Sequence, residues 1–291
     1  MNSIAKRLSH KVLEIKTTYK PKTPVSVLCV ADVHFDNKNC KIRLLKKHMD
    51  EALDNDRLIF FCGDTFCLMQ GPGDPRRSSA DRHDQDNSDA YVNSVLSRAW
   101  DFFGPYAHNI AGMSYGNHET TYIKKNGIDV LELFIDGLND KCGSNVQRMP
   151  FEGWIHHSLE SKHKGRASCF KTYFHHGAGG GGPVTKGVIK TNRRNAIVDG
   201  ADFLISGHIH ESFIIETPKI YTTRRGNELT RNVLHVQLPT YKDEHIKEEE
   251  YFNYHTISER SPRPLGGWWL NIEASFSGGN TDFKHSATRA Q

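Results

Sequence analysis

The sequence lacks the features that place a chain in a membrane or in a disulfide framework. The apolar run near its start, residues 25–31, is far shorter than the ~20 residues that span a bilayer, and no charged-then-apolar leader precedes it. Its six cysteines form no CxxC pair, and three of them lie in apolar runs where a reduced thiol behaves as a small hydrophobic group. We therefore expect a cytoplasmic protein with no membrane partner.

Neither sign of charge dominates, and the chain has no internal repeat or low-complexity segment. The 291 residues include 38 Lys and Arg against 34 Asp and Glu, which gives a net charge of +4. So small an excess permits a polyanionic partner without requiring one. Length and composition together predict one domain over residues 1–276 and a flexible polar tail over 277–291, and they leave the oligomeric state undetermined.

Short β-rich runs alternate with stretches of helical spacing up to residue 210. The spacing predicts strands over 25–31, 58–62, 108–115, 170–174 and 202–206, and helices over 41–53, 89–103, 128–138 and 188–199. Further along, consecutive strands are predicted over 212–217, 219–224, 229–238 and 267–276. This order of elements predicts α/β layering with a second, more antiparallel sheet.

Polar side chains of the metal-binding types follow the five early strands. They are Asp32, His34, Asp64, Asn117, His118, His175, His208 and His210. Carboxylate, amide and imidazole groups together suit divalent ions such as Mn, Fe or Zn. In an extended segment, the two-residue spacing of DVH and GHIH puts both side chains of each pair on one side. Two adjacent ions would polarise a phosphoryl group and supply hydroxide, so the sequence predicts hydrolysis of phosphate esters.

Taken in order from Asp32 to His210, these motifs resemble the signature of the calcineurin-like metallophosphoesterase superfamily, and the HHG-plus-glycine stretch 175–182 is similar to phage-encoded members. That signature is DxH, GDxxD, GNH(D/E), a lone histidine and GHxH. The resemblance implies an α/β (α+β) fold, a four-layer αββα sandwich of two mixed sheets with a dinuclear metal site at the strand C-terminal ends. It implies one metal held by Asp32, His34 and His210, another held by Asn117, His175 and His208, and Asp64 as the bridge. Manganese is the expected ion, and Fe, Zn, Ni or Mg also fit such ligands.

The resemblance also implies that His118 is the catalytic histidine, which assists the leaving oxygen while hydroxide attacks phosphorus. One position departs from the signature, because Cys67 stands where GDxxD has its second aspartate. In some members that aspartate orients the catalytic histidine. Either Glu119 or a carboxylate of the polar loop 70–88 replaces it here, or proton transfer contributes less.

Two adjacent histidines compete for one ligand position. We favour His175 because it follows the predicted strand directly, and we expect His176 to line the cleft. The glycine run 177–182, with Gly179 near its centre, either brings backbone N–H groups to a substrate phosphate or serves as a connector. Arg76 in the loop 70–88 is a further candidate for substrate contact, whereas the acidic run 243–250 is expected to be a solvated surface segment.

The substrate is expected to be a phosphate ester, with a nucleotide or nucleic-acid phosphodiester favoured. The reason is the GHIH pair, which the superfamily's phosphodiesterases and nucleases carry. The alternative is a phosphomonoesterase or protein phosphatase. A non-catalytic metal-binding scaffold is less favoured because all seven ligand positions are filled.

Overall fold

The computed structural model describes residues 3–20, 23–69, 82–86, 90–161, 167–182, 184–245, 261–277 and 280–291. The described part contains two mixed β-sheets and five α-helices, which confirms the predicted α/β sandwich class. Arg76 and most of the predicted loop 70–88 lie outside the described residues. No helix in the described ranges is long and apolar enough to cross a membrane.

One sheet has six strands. They are β3 (Val25–Val30), β4 (Leu58–Cys62), β5 (Ile110–Ser114), β6 (Gln147–Met149), β12 (Trp268–Ser277) and β13 (Asn280–Arg289). Their order is β13-β12-β3-β4-β5-β6, and the pairs from β3 to β6 are parallel. Strands β3, β4 and β5 are buried along their whole length because both faces of this part of the sheet are covered. Their nearly continuous apolar sequences are typical of such central parallel strands.

The other sheet has seven strands. They are β1 (Ser3–Ser9), β2 (Val12–Tyr19), β7 (Glu152–Ser161), β8 (Ala167–His175), β9 (Phe203–Ser206), β10 (Phe213–Thr222) and β11 (Glu228–Gln237). Their order is β1-β2-β7-β8-β9-β11-β10. Strand β9 runs parallel to both of its neighbours, β8 and β11, so the ends of β8 and β9 lie at the same edge of the sheet.

The helices cover the outer faces of the two sheets. They are α1 (Ile42–Asp54), α2 (Tyr91–Phe103), α3 (Asn117–Asn126), α4 (Val130–Cys142) and α5 (Val188–Ile197). Leu45, Phe103 and Phe134 of α1, α2 and α4 pack with Phe61 on the outer face of the six-stranded sheet. On the seven-stranded sheet, Lys219 of β10 donates hydrogen bonds to the last carbonyls of the α5 region. Apolar side chains of both sheets meet between them, which gives the layer order α, β, β, α.

The structure corrects two expectations about strands. The predicted strands 212–217 and 219–224 form the single strand β10, which contains Pro218. Because β10 is an edge strand, it tolerates a residue that lacks a backbone N–H donor. The tail 277–291, predicted to be flexible, instead contributes β13, which pairs with β12. Phe283 of β13 contacts the Tyr19 ring, with 5.6 Å between ring centroids, and so extends the core between the sheets.

Acid is expected to destabilise the fold through the buried His157. Its Nε2 lies 2.8 Å from Thr172 Oγ1, and burial lowers its pKa from 6.5 to about 4. Below pH 6.5 the unfolded chain therefore binds a proton that the folded chain does not, and stability falls until the pH nears 4. This group accounts for roughly 3 kcal/mol of lost unfolding free energy. Urea unfolding from pH 7 to pH 4 should show a shallower pH dependence in His157→Gln than in the wild type, and parallel curves would contradict the assignment.

Candidate metal centre

The loops that follow β3, β4, β8 and β9 meet between the two sheets. The backbone N–H of His34 donates to the carbonyl of Asp64 at 3.1 Å, which joins the loops after β3 and β4. The backbone N–H of His208 donates to Asp32 Oδ2 at 2.8 Å, which joins a loop of one sheet to a loop of the other. These hydrogen bonds hold the polar residues from the strand ends in one place.

Several of these residues have left-handed backbone conformations. The positive φ angles are 51° at Asp32, 49° at His34, 51° at Asp64, 72° at His208 and 55° at His210. Such angles cost free energy in residues other than glycine and cluster at functional sites. The DVH and GHIH pairs were expected to be extended. They are instead strained loop residues that their surroundings hold in place.

Two of the three donor groups among the described residues make up the centre, and the third, which consists of His34, Cys67 and His118, shares His34 with one of them. Asp32, His34 and His210 offer atoms within 4.8 Å of one another, and so do Asp64, His176 and His208. Asn117 lies with the second group, because its Oδ1 is 2.6 Å from His208 Nδ1 and 3.1 Å from His176 Nε2. The two groups are adjacent, with 4.0 Å between His176 Nε2 and Asp32 Oδ1.

The structure reverses the positions expected for His175 and His176. His176 is completely buried, and its Nε2 lies 3.2 Å from Asp64 Oδ2. Its Nδ1 donates to the carbonyl of Cys62 at 2.8 Å, so Nε2 is the ring atom that faces the centre and would bind an ion once its proton is lost. His175 Nδ1 instead accepts a hydrogen bond from the backbone N–H of Gly177. The physical reason is the alternation of β8, in which Phe174 faces the space between the sheets and His175 faces the opposite side.

His118 lies beside the two donor groups. Its Nε2 is 3.7 Å from Asp64 Oδ2, and its Nδ1 is 2.5 Å from the backbone carbonyl oxygen of Cys67. Since a carbonyl only accepts, Nδ1 carries a proton and Nε2 faces the centre. The residue that departs from the GDxxD pattern thus supplies a partner for His118, through its backbone rather than its side chain.

Among the described hydrogen bonds, Glu119 binds backbone groups of the loops and not the His118 ring. Its carboxylate accepts hydrogen bonds from the backbone N–H groups of Asp64, Phe66 and Gly116. Burial, together with the charge of Asp64, raises the pKa of Glu119 to about 7. The expectation that Glu119 replaces the missing aspartate is therefore corrected, because Glu119 has a structural role in the loops.

The electrostatics of the centre favour added positive charge. Burial alone would raise the pKa of Asp64, but the imidazoles of His176 and His118 hold it well below its usual range. Burial likewise opposes protonation of His176, yet Asp64 and Asp32 raise its pKa to about 10. Among the described residues, the buried atoms Asp32 Oδ1 and His34 Nδ1 have no hydrogen-bond partner. Paired carboxylates with imidazole and amide donors fit one or two divalent cations.

Glu244 reaches the centre, although the acidic run 243–250 was expected to be a solvated surface segment. Its Oε1 lies 3.0 Å from His210 Nδ1, and only 10% of its side chain is exposed. The segment is held there because the backbone N–H of Tyr241 donates to the carbonyl of Asp32 at 3.0 Å. Burial opposes protonation of His210, but Asp32 and Glu244 raise its pKa to about 9. The acidic run carried no sequence signal for this contact, and its residues 246–250 lie outside the described part.

The glycine run contributes close packing near the centre. A Cβ atom on Gly177 would lie 2.6 Å from the His208 Cβ, so this position requires glycine. Gly179 lies beside Lys190, whose ammonium donates to the carbonyl of Ala178. The proposed substrate contact of Gly179 stays a prediction, as does that of Arg76.

Gly116 is expected to be essential because a side chain there would strike Asp64. An added Cβ would lie 2.0 Å from Asp64 Oδ1 and 2.4 Å from its backbone nitrogen. We expect Gly116→Ala to weaken metal binding by at least about 10-fold or to lower the thermal midpoint by several degrees. Gly104→Ala is the matched control, since its Cβ would meet nothing nearer than Cys142 Sγ at 3.7 Å. Equal metal affinity and equal midpoints in the two variants would contradict this prediction.

The similarity of this chain to known proteins is low. No protein-family model and no curated protein matches the sequence. A structure of vacuolar protein sorting 29 from Cryptosporidium parvum is similar at 12% identity and TM-score 0.35, over 92% of this chain and 99% of that chain. GAP50, the anchor in the inner membrane complex of Plasmodium, is similar at 11% identity and TM-score 0.42, over 90% of this chain and 84% of that chain. These values are too low to carry over a function.

Proposed function

We propose that this protein is a metal-dependent phosphoesterase that hydrolyses a nucleotide or nucleic-acid phosphodiester. The observation that carries the proposal is the meeting of two oxygen and nitrogen donor groups with His118 Nε2 beside them. The six free cysteines suit a reducing compartment, and we place the protein in the cytoplasm. A phosphate ester is the only partner the proposal requires.

Seven side chains would hold the ions. In the first group they are Asp32, His34 and His210, and in the second Asn117, His176 and His208, with Asp64 as the proposed bridge. Two bound ions, manganese in our proposal, would supply Lewis-acid activation of the phosphoryl group and of water. His176 replaces His175 in the set expected from the sequence because only His176 lies among the donors.

His118 would serve the leaving group. Its Nδ1–H donates to the carbonyl of Cys67, so rotation of the ring is opposed and Nε2 stays directed at the centre. In the cationic form, Nε2 can donate its proton to the leaving oxygen as the ester bond breaks. In the neutral form, Nε2 has no proton to give, so the reaction of a poor leaving group should depend on protonation of this residue.

Turnover of two chromogenic esters tests the proposal. The chain would be stripped with a chelator, reloaded separately with Mn, Fe, Zn, Ni or Mg, and assayed with bis(p-nitrophenyl) phosphate and p-nitrophenyl phosphate. We expect metal-dependent hydrolysis with a preference for the diester. A preference for the monoester would favour a phosphomonoesterase or protein phosphatase. Metal binding without hydrolysis of either ester would favour a scaffold.

A further inference from the structure

A buried carboxylate fixes the loop that carries the partner of His118. Asp36 is 2% exposed, and its Oδ1 accepts a hydrogen bond from the backbone N–H of Cys67 at 2.5 Å. Its Oδ2 accepts from the backbone N–H of Leu68 at 2.9 Å and from the Tyr91 hydroxyl of α2. Three donors from two separate segments therefore converge on a single side chain.

The hydrogen bond from Leu68 determines the direction of the carbonyl that His118 uses. The carbonyl of Cys67 and the N–H of Leu68 belong to the same planar peptide unit, in which the two groups point in opposite directions. Asp36 holds the N–H end of this unit, and His118 Nδ1 donates to the carbonyl end. Because a hydrogen bond at one end of a peptide group polarises the other end, the carboxylate also makes the carbonyl a stronger acceptor.

Two further observations concern the backbone conformation of Leu68 and the proton of the Tyr91 hydroxyl. Leu68 has a φ of 51°, a left-handed conformation that is unfavourable for a residue with its side chain. Burial, followed by the charge of Asp36, raises the pKa of Tyr91 far above its usual range. The Tyr91 hydroxyl therefore keeps its proton and remains a donor to Asp36.

We propose that Asp36 is the positioning residue for His118 and acts through the Cys67–Leu68 peptide unit. It does so in place of the aspartate that a GDxxD motif would have at residue 67. This inference rests on the proposed function, since it concerns the proton that His118 gives to a leaving group. Asp36 does not belong to the donor groups of the described residues and reaches His118 through the Cys67–Leu68 peptide unit, so its effect is indirect.

Kinetics of two diesters test the inference in the metal-loaded full chain. Asp36→Asn keeps the size of the side chain, but its amide offers one acceptor oxygen to three donors. We expect kcat for diphenyl phosphate to fall by at least about 10-fold, because its leaving group needs a proton. With bis(p-nitrophenyl) phosphate, whose leaving group is a weaker base, we expect less than about a 3-fold fall and an unchanged KM. Tyr91→Phe should show the same pattern with a smaller loss.

Asp86→Asn is the matched control. Asp86 is also fully buried beside α2, where it accepts hydrogen bonds from Ser94 and Arg98. None of the described hydrogen bonds links Asp86 to the Cys67 carbonyl. Asp86→Asn should therefore change kcat for the two diesters by the same factor. An Asp36→Asn loss that is equal for both diesters, or no larger than that of Asp86→Asn, would overturn the inference.

A spectroscopic readout separates positioning from a general loss of structure. The ring nitrogens of His118 can be followed by ¹⁵N NMR in the metal-free chain, with His118→Asn to assign the signals. We expect a protonated Nδ1 in the wild type and a shifted His118 signal in Asp36→Asn and Tyr91→Phe, but not in Asp86→Asn. An unchanged signal in an active enzyme would overturn the positioning role alone. A wild type that hydrolyses neither diester with any metal would overturn the proposed function, and the role of Asp36 would fall with it.

Discussion

Replacing Asp64 with asparagine is expected to lower phosphodiester turnover by at least about 1,000-fold. The carboxylate is almost fully buried, and its Oδ2 lies 3.2 Å from His176 Nε2. Its Oδ1 accepts the backbone N–H of His118 at 2.9 Å, so the same side chain connects a donor group to the proposed catalytic histidine. An amide keeps the shape but removes the negative charge that would attract and bridge the ions.

The measurement is kcat for bis(p-nitrophenyl) phosphate at saturating manganese, together with the bound metal per chain. Asp86→Asn is again the matched control, because it replaces a buried carboxylate that lies outside the donor groups. The control should keep its metal and most of its turnover. Turnover of Asp64→Asn within about 10-fold of the wild type would show that the centre does not use this carboxylate.

The second large effect distinguishes the two adjacent histidines. His176→Asn should weaken binding of one ion by at least about 100-fold and abolish turnover, because His176 lies among the donors of the second group. His175→Asn should keep both metal affinity and turnover within about 3-fold, because its ring packs against Phe151 and its Nδ1 accepts from Gly177.

Isothermal titration of the chelator-stripped variants with manganese, followed by the diester assay, measures both effects. The pair is well matched because the histidines are neighbours in sequence and only one reaches the centre. If His175→Asn lost an ion and His176→Asn kept it, His175 would be the ligand, as the sequence predicts, and the assignment of His176 to the centre would be contradicted.

Local sequence signals predicted the layers of the fold and most of the candidate site. The strands before Asp32, Asp64 and Asn117 are continuous apolar runs, and such runs are reliable when a sheet is covered on both faces. The polar residues at their ends could be found because a parallel arrangement brings strand ends to one edge of a sheet. The alternation of Phe170, Thr172 and Phe174 would also have indicated His176, since these even-numbered positions face the space between the sheets.

Other features depend on contacts between distant segments and could not be predicted. Asp36 is separated by 31 residues from Cys67 and by 55 from Tyr91, and nothing in its own sequence surroundings indicates either contact. Glu244 meets His210 only because the chain after β11 crosses the loop at Asp32. The strand β13 was missed because a polar strand at a sheet edge has the composition of a flexible tail.

The most direct test of the proposed dinuclear centre is the amount of metal that each chain holds. The wild type would be loaded with manganese, freed of excess ions by gel filtration and analysed by inductively coupled plasma mass spectrometry beside Asp64→Asn. We expect about two ions per wild-type chain and a clear loss in the variant, with turnover following the metal content. A wild type that retains no ion, or the same ion content in both proteins, would contradict a dinuclear centre built on these residues.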